Sequence, residues 1–350
     1  MNKLIKYLFT VFFLIASVSF CLGQAQTKMV SGWVPYWDLE NGLNLLNDNF
    51  KNEISQLNLF AYAFDKDLNI ILVFDNKEKY KEKLDFIKSL GIQITATFTN
   101  DIIYSKSNQN LKEPDVVHRI LSDDTLRTIH ISQLLAIANE MGLDGIDIDY
   151  ENIDKKDKEL FSNFIKDLAE QLHKENRTLE VSVQQKTEDH QRSGAGSIDW
   201  KEISKYADKI NIMCYNYSSR LSKPGPICPG YWLIDIINFA KTQIPVDKIC
   251  IALPLYGYDW AKGKGLTVNI KSAKDLIKKY KAKALWDKAT LTPHFIYYKN
   301  GEKHNVWFED AKSILDKTRL IKEQGITNIA FWHISFLDVS FQKALKLFLE

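Results

Sequence analysis

The chain has 350 residues, of which 46 are basic, 44 acidic and 45% hydrophobic. So even a balance, with no dense basic tract, offers nucleic acid no electrostatic footprint. The cysteines are too few for a disulfide scaffold and form no spaced Cys/His cluster of the kind that binds zinc.

At the N-terminus, Lys3 and Lys6 precede an almost unbroken apolar run from residue 8 to residue 20. Cys21-Leu22-Gly23 then supplies small residues for cleavage. This pattern predicts a signal peptide over residues 1–23, cut near Gly23 or Ala25. It is short for a bilayer span, so the expectation is an exported chain (periplasmic, cell-surface or extracellular) with no membrane span once mature. A lipid anchor on Cys21 is the rival reading, and the bulky Phe20 before it argues against that. Without residues 1–23 the basic residues fall to 44, equal to the acids, and about 327 residues remain. That length exceeds most single cores but suits one α/β barrel. Cys214, Cys228 and Cys250 then form an odd set: one pair could close in an oxidising compartment, or each could be a buried free thiol.

Short β-rich apolar runs recur at 30–36, 54–62, 92–98, 143–150, 179–183, 210–215, 249–254 and 326–332. Stretches such as 126–141, 155–173 and 311–324 carry apolar residues at helical spacing between them. Strands alternating with helices predict βαβ units on a parallel sheet, and eight of them predict a closed (β/α)8 TIM barrel. The interval after the seventh run is the longest. Within it, 272–280 reads as a helix, and 294–298 and 304–308 read as strands joined around Asn300-Gly301. We expect a small α+β insertion at 258–308, between strand 7 and helix 7, serving as a stabilising embellishment or as the wall of a groove.

The run 143–151 is the most informative segment. On a strand, Asp147, Asp149 and Glu151 share one face while Ile146, Ile148 and Tyr150 take the other. In a barrel the isoleucines pack under the helices, and the carboxylates climb the interior toward the C-terminal rim, where such folds place active sites. Burying acids costs several kcal/mol unless they are paired or protonated, and close like charges force their pKa values apart. One carboxyl can then keep its proton while a neighbour stays ionised, as acid catalysis of glycoside cleavage requires. A divalent-metal site or a solvated acidic strand edge remain open, although magnesium prefers ligands gathered around one centre.

Asp144-Gly-Ile-Asp147-Ile-Asp149-Tyr-Glu151 resembles the DGxDxDxE signature of glycoside hydrolase family 18, the chitinase-like barrels. Gly32-Trp33-Val34-Pro35-Tyr36-Trp37 and Leu59-Phe60-Ala61-Tyr62-Ala63-Phe64 resemble that family's first two strands. Met213-Cys214-Tyr215-Asn216-Tyr217 resembles its Met-x-Tyr-Asp motif, and Trp332 stands where its eighth strand carries a tryptophan. The resemblance spans about residues 30–340. Pro254-Leu255-Tyr256-Gly257-Tyr258-Asp259-Trp260, Val306-Trp307-Phe308-Glu309-Asp310-Ala311 and Thr97-Phe98-Thr99-Asn100 are most similar to the spore-germination and cortex-lytic glucosaminidase-like branch.

The resemblance implies a retaining hydrolase of β-1,4-linked N-acetylglucosamine in chitin oligomers, peptidoglycan or an N-glycan core, with no cofactor or metal. Glu151 would be the acid, Asp149 would orient the substrate's own attacking acetamide, and Asp147 would lie beneath as its charge partner. Tyr215 would bond the acetamide oxygen and Trp332 would floor the sugar site. Asn216, Tyr256, Tyr258, Trp33, Trp260 and Asn100 are further candidates for sugar contact, with core packing as the alternative for the aromatics. Two departures stand out: Asn216 replaces the family's aspartate, and Thr97 to Asn100 replaces the SxGG motif. A weakly catalytic chitinase-like lectin is the competing reading, and the retained Glu151 argues against it. A monomer is expected.

Overall fold

The computed structural model describes residues 28–105, 107–190 and 193–350, so the signal segment and Cys21 lie outside the described residues. Eight parallel strands close a barrel: β1 (Met29–Pro35), β2 (Gln56–Phe64), β3 (Gln93–Ser105), β4 (Gly145–Asp149), β5 (Thr178–Gln184), β6 (Lys209–Met213), β7 (Ile249–Pro254) and β8 (Asn328–Trp332). Neighbours pair in the order β2-β1-β8-β7-β6-β5-β4-β3, and a β2–β3 ladder shuts the cylinder. The (β/α)8 expectation therefore holds. Helices such as Asp124–Met141, Lys158–Lys174 and Ala311–Glu323 cover the outside.

The alternation along β4 sorts its residues as the pleat requires. Ile146, Ile148 and Tyr150 join the large outer core between strands and helices. The Tyr150 ring lies 6.1 Å from Phe164 at an interplanar angle of 6°, and its hydroxyl is 2.8 Å from His130 Nε2. Gly145 is required at the strand's start: a Cβ there would come within 2.2 Å of Thr178 Oγ1 on β5. Asp144, ahead of it, accepts the Ile94 amide at 2.8 Å and fastens the base of β4 to β3.

Two rim hairpins go beyond the sequence-based strand ends. β2 continues to Phe64 and pairs antiparallel with Ile70–Leu72. The turn between them is held by Asp65, whose carboxylate accepts the amides of Asp67 and Asn69 at 2.8 and 2.9 Å. β3 runs past Phe98 to Ser105 and folds back against Asn108–Asn110. β4 is shorter than expected. It ends at Asp149, so Glu151 stands two residues beyond the ladder rather than on it.

Residues 256–307 build a second, five-stranded antiparallel sheet, ordered Lys264–Asn269, Tyr256–Ala261, Glu302–Trp307, Thr292–Lys299 and Leu285–Asp287. Its first strand begins two residues after β7. Gly257 permits the close crossing there, because a Cβ would come within 1.9 Å of the Trp307 carbonyl oxygen. Helix Ile270–Tyr280 packs on this sheet around Phe295 and Val306. Cys214, Cys228 and Cys250 are all free and buried, so no pair forms among them. No described helix is long and apolar enough to cross a membrane.

Candidate active site

A cavity of about 760 Å³ opens over the C-terminal ends of the barrel strands. That volume is within the range of small-molecule sites. Asp149, Gln184, Met213 and Trp332, the last residues of four strands, line it, together with Glu151 and Tyr215 just beyond strand ends.

The three carboxylates occupy different environments. Asp147 is fully buried beneath the cavity. It accepts from Ser182 Oγ at 2.8 Å, Thr97 Oγ1 at 2.8 Å and Trp33 Nε1 at 3.2 Å. Burial, reinforced by the charge of Glu180, still raises its pKa to about 6, against the pull of those three donors. Asp149 is pushed further, to about 7, by burial and by the negative charges of Glu151 and Asp147, with Lys112 opposing. Its Oδ2 accepts Lys112 Nζ at 3.0 Å, and its buried Oδ1 has no hydrogen-bond partner among the described residues. Glu151 is the most exposed of the three; its Oε2 accepts Gln184 Nε2 at 2.8 Å and its Oε1 lies 3.0 Å from Lys112 Nζ.

Lys112 thus joins two carboxylates with one ammonium. Burial works against its charge, but Asp149, Glu151 and Asp101 together hold the ammonium above its ordinary value. Its backbone has a φ of 56° and its amide donates to Asp101 Oδ1 at 2.8 Å, which fixes the loop that presents it. Nothing in the sequence singles it out: it stands 37 residues before Asp149, in a loop with no periodicity. Gln184, the last residue of β5, and Phe60, in the middle of β2, also line the cavity and are accessible to the alternation argument.

Tyr215 is nearly buried, and burial, with Asp149, Tyr256 and Glu151 nearby, pushes its phenol well above the usual range. It therefore stays a hydroxyl donor at any physiological pH. Tyr256 donates to Asn216 Oδ1 at 2.8 Å, and Asn216 has a left-handed backbone with φ of 65°, a conformation that asparagine tolerates. Trp332 is held edge-on by Phe60 at 5.2 Å and tilted against Trp33 at 6.2 Å. Tyr256, Tyr258, Asn216 and Trp332 all line the cavity.

Three of the candidate sugar contacts lie away from the cavity. Trp33 is 2% exposed; its indole lies a layer below, donating to Thr97 and Asp147. Trp260, also 2% exposed, packs against Tyr258 and donates to the Ser219 carbonyl, because it belongs to the second sheet and not to a barrel strand end. Asn100 is fully buried, with its amide spent on the main chain: it receives the Glu151 N–H at 2.9 Å and donates to the Glu151 carbonyl at 2.9 Å. It positions the acid's backbone, and none of the three lines the cavity. Among the described residues no His, Cys, Asp and Glu group has the arrangement of a metal site.

Residues 116–336 match the profile of the glycosyl hydrolases family 18. The uncharacterized glycosylase YvbX of Bacillus subtilis is 30% identical over 82% of this chain and 82% of its own length. The cortical fragment-lytic enzyme of Bacillus anthracis is 30% identical over 63% of this chain, which spans 53% of that enzyme. Among solved structures, the Bacillus cereus spore cortex-lytic enzyme SleL superposes with a TM-score of 0.82 at 25% identity, covering 93% of this chain and 75% of that one.

Proposed function

The chain belongs to the glycosyl hydrolases of family 18 and is a glycoside hydrolase; from that premise we propose that it cleaves β-1,4-linked N-acetylglucosamine glycans with retention, using the substrate's own acetamide as nucleophile. The observation that carries this reading is Asp149 Oδ1, a buried carboxylate oxygen at the cavity with no partner. An unpaired buried acceptor is costly, and an acetamide N–H entering beside it would satisfy it.

In this reading the carboxyl proton of Glu151 passes to the glycosidic oxygen as the bond to the anomeric carbon breaks. The acetamide oxygen closes on that carbon, and its N–H is held by Asp149. Tyr215 donates to the acetamide oxygen, while Trp332 covers the sugar's apolar face. Glu151, now ionised, takes a proton from water as the water opens the oxazolinium ring, which restores the acid and retains the configuration. This is the substrate-assisted exception to the two-carboxylate scheme. Lys112 sets a condition on the first step: its ammonium lies 3.0 Å from the Glu151 carboxyl that must reach the glycosidic oxygen. Substrate must draw Lys112 away from Glu151, leaving it on Asp149, where a positive charge also helps hold an anion against the forming cation.

The test is a release assay on N-acetylglucosamine oligomers, peptidoglycan fragments and a high-mannose glycopeptide. Glu151→Gln is expected to lower kcat by about 10²–10⁴-fold with the fold intact by circular dichroism. Turnover undiminished in that variant would remove Glu151 from the mechanism, and no release from any of the three would sink the substrate assignment.

A further inference from the structure

Charge is unevenly spread over a chain that is almost neutral as a whole. Residues 262–303, the greater part of the second sheet with its helix, hold eleven lysines and three acids, a net charge of +8. The whole chain carries +2, so everything outside that stretch sums to −6. All eleven lysines are exposed, and none of them lines the cavity over the strand ends. Two are paired: Lys262 lies 3.4 Å from Glu302, and Lys274 lies 3.5 Å from Asp338. The others have no ion-pair partner among the described residues.

The fold gathers many of them at one end of this lobe. The sheet joins the barrel where Tyr256–Ala261 follows β7, so the turns at its other end stand away from the barrel. Two turns meet there. The pairing of Trp260 with Asn305 sets the 262–263 turn beside the 300–301 turn, and the Lys262–Glu302 pair spans them. Lys262, Lys264, Lys299 and Lys303 flank these turns. Helix Ile270–Tyr280 ends near the same edge, its Tyr280 ring stacked on Tyr297 at 4.4 Å, and contributes Lys279 and Lys281. Along the helix, Lys271, Lys274 and Lys278 share the outer face while Ile270 and Ala273 are buried.

Folding accounts for little of this. Lys278 and Lys279 sit in the last turn, where a positive charge gains from the helix dipole. Lys274 and Lys278, four residues apart, repel each other, and the lysines of the two turns gain nothing from the helix. So many unpaired like charges in one lobe raise the local potential and draw anions. The stretch has no arginine. Lysine is a point charge without the planar fork that matches one carboxylate or phosphate geometry, so this surface reads charge density rather than the shape of one group. The lysines also point from several sides: the helix face, the helix end and both turns. A flat membrane meets only one side at a time, and the apolar face of the helix is spent on the sheet. A flexible chain can follow all of them.

We propose that this lobe docks an acidic polysaccharide, a flexible glycan whose repeats carry a carboxylate or phosphate, and so tethers the hydrolase against a glycan matrix. The attachment is electrostatic, spread over many weak contacts and separate from the cavity. Tethering raises the effective concentration of nearby substrate without any new contact at the reacting bond. The docking does not depend on which bond the cavity cleaves.

Immobilised polygalacturonate, with a carboxylate on each sugar, is the probe for surface plasmon resonance, and dextran is its neutral control. The intact chain is expected to bind polygalacturonate and not dextran at about 50 mM salt, and to lose about tenfold or more in affinity by about 200 mM. Combining Lys262→Gln, Lys264→Gln, Lys281→Gln, Lys299→Gln and Lys303→Gln is expected to weaken binding about tenfold or more, with the urea midpoint kept. Lys51→Gln, Lys155→Gln, Lys156→Gln, Lys166→Gln and Lys201→Gln together remove the same charge from exposed positions elsewhere and should change it by less than about twofold. Equal losses in the two variants, binding that ignores salt, or no capture by polygalacturonate would each overturn the proposal. Equal or tighter capture by phosphatidylglycerol vesicles would overturn it too, and would make the lobe a membrane contact.

Discussion

The barrel interior holds two carboxylate layers that are equally dry and differently treated. In the lower, Glu180 is 2% exposed and receives four donors: Gln56 at 2.6 Å, Lys209 at 2.8 Å, Asn211 at 2.9 Å and Asn58 at 3.2 Å. Burial favours its neutral form, but Lys209, with the amides of Asn211 and Gln56, prevails and holds it below the usual glutamate range. In the upper layer Asp149 is 6% exposed and shares one lysine with Glu151, and its pKa rises to about 7. Burial alone therefore does not decide protonation; the donors and the charges around each carboxylate do. Both oxygens of Glu180 receive donors from the protein, whereas Asp149 keeps one oxygen without a partner among the described residues.

The sharpest way to break this comparison is Glu180→Ala, which strands the Lys209 ammonium in the interior. We expect a loss of about 3–5 kcal/mol in urea unfolding. An unaffected midpoint would show that the lower layer is not structural after all.

Asp149→Asn tests the upper layer by pH. Folded Asp149 takes its proton at about 7 against the ordinary 3.8, so between those values the folded chain holds more protons than the unfolded one. Its contribution to stability therefore falls as pH rises through that window, by up to about 1.4 kcal/mol per pH unit. In Asp149→Asn that descending component should vanish, giving a shallower profile of unfolding free energy between roughly pH 4 and 7. Lys112→Met should act in the opposite sense, extending the descent to higher pH because the opposing cation is gone. Identical profiles for all three proteins would show that Asp149 is not displaced. Smallest is Tyr256→Phe, which removes the donor to Asn216 and should cost about 0.5–1.5 kcal/mol in the same measurement.

Much of this arrangement could be read from residue order. The alternation of acids and isoleucines along β4 foretold which side faces the helices, and Tyr150 lies on the outer side as expected. Height within the barrel was harder to see, because the stagger of the strands is a property of closure rather than of any one strand. Trp33 and Asn100 face inward, yet the stagger spends the Trp33 indole on Thr97 and Asp147 and turns Asn100 onto the Glu151 backbone. Lys112 was unreadable for a related reason. Its reach depends on where the β3 hairpin returns before helix Pro114–Leu121, a matter of tertiary path rather than pattern.

Asn100 has a consequence for the timing of motions around Glu151. Its single amide group fastens three segments: β3, the Glu113 carbonyl at 3.1 Å and both main-chain groups of Glu151. The Glu151 N–H lies outside the regular strand, where amide hydrogens ordinarily trade with water in brief local openings. Here, release requires the buried Asn100 side chain to let go of both neighbours at once. The acid's peptide should therefore exchange its hydrogen as slowly as one inside the barrel, and any rearrangement before catalysis falls to side chains such as Lys112 rather than to the main chain.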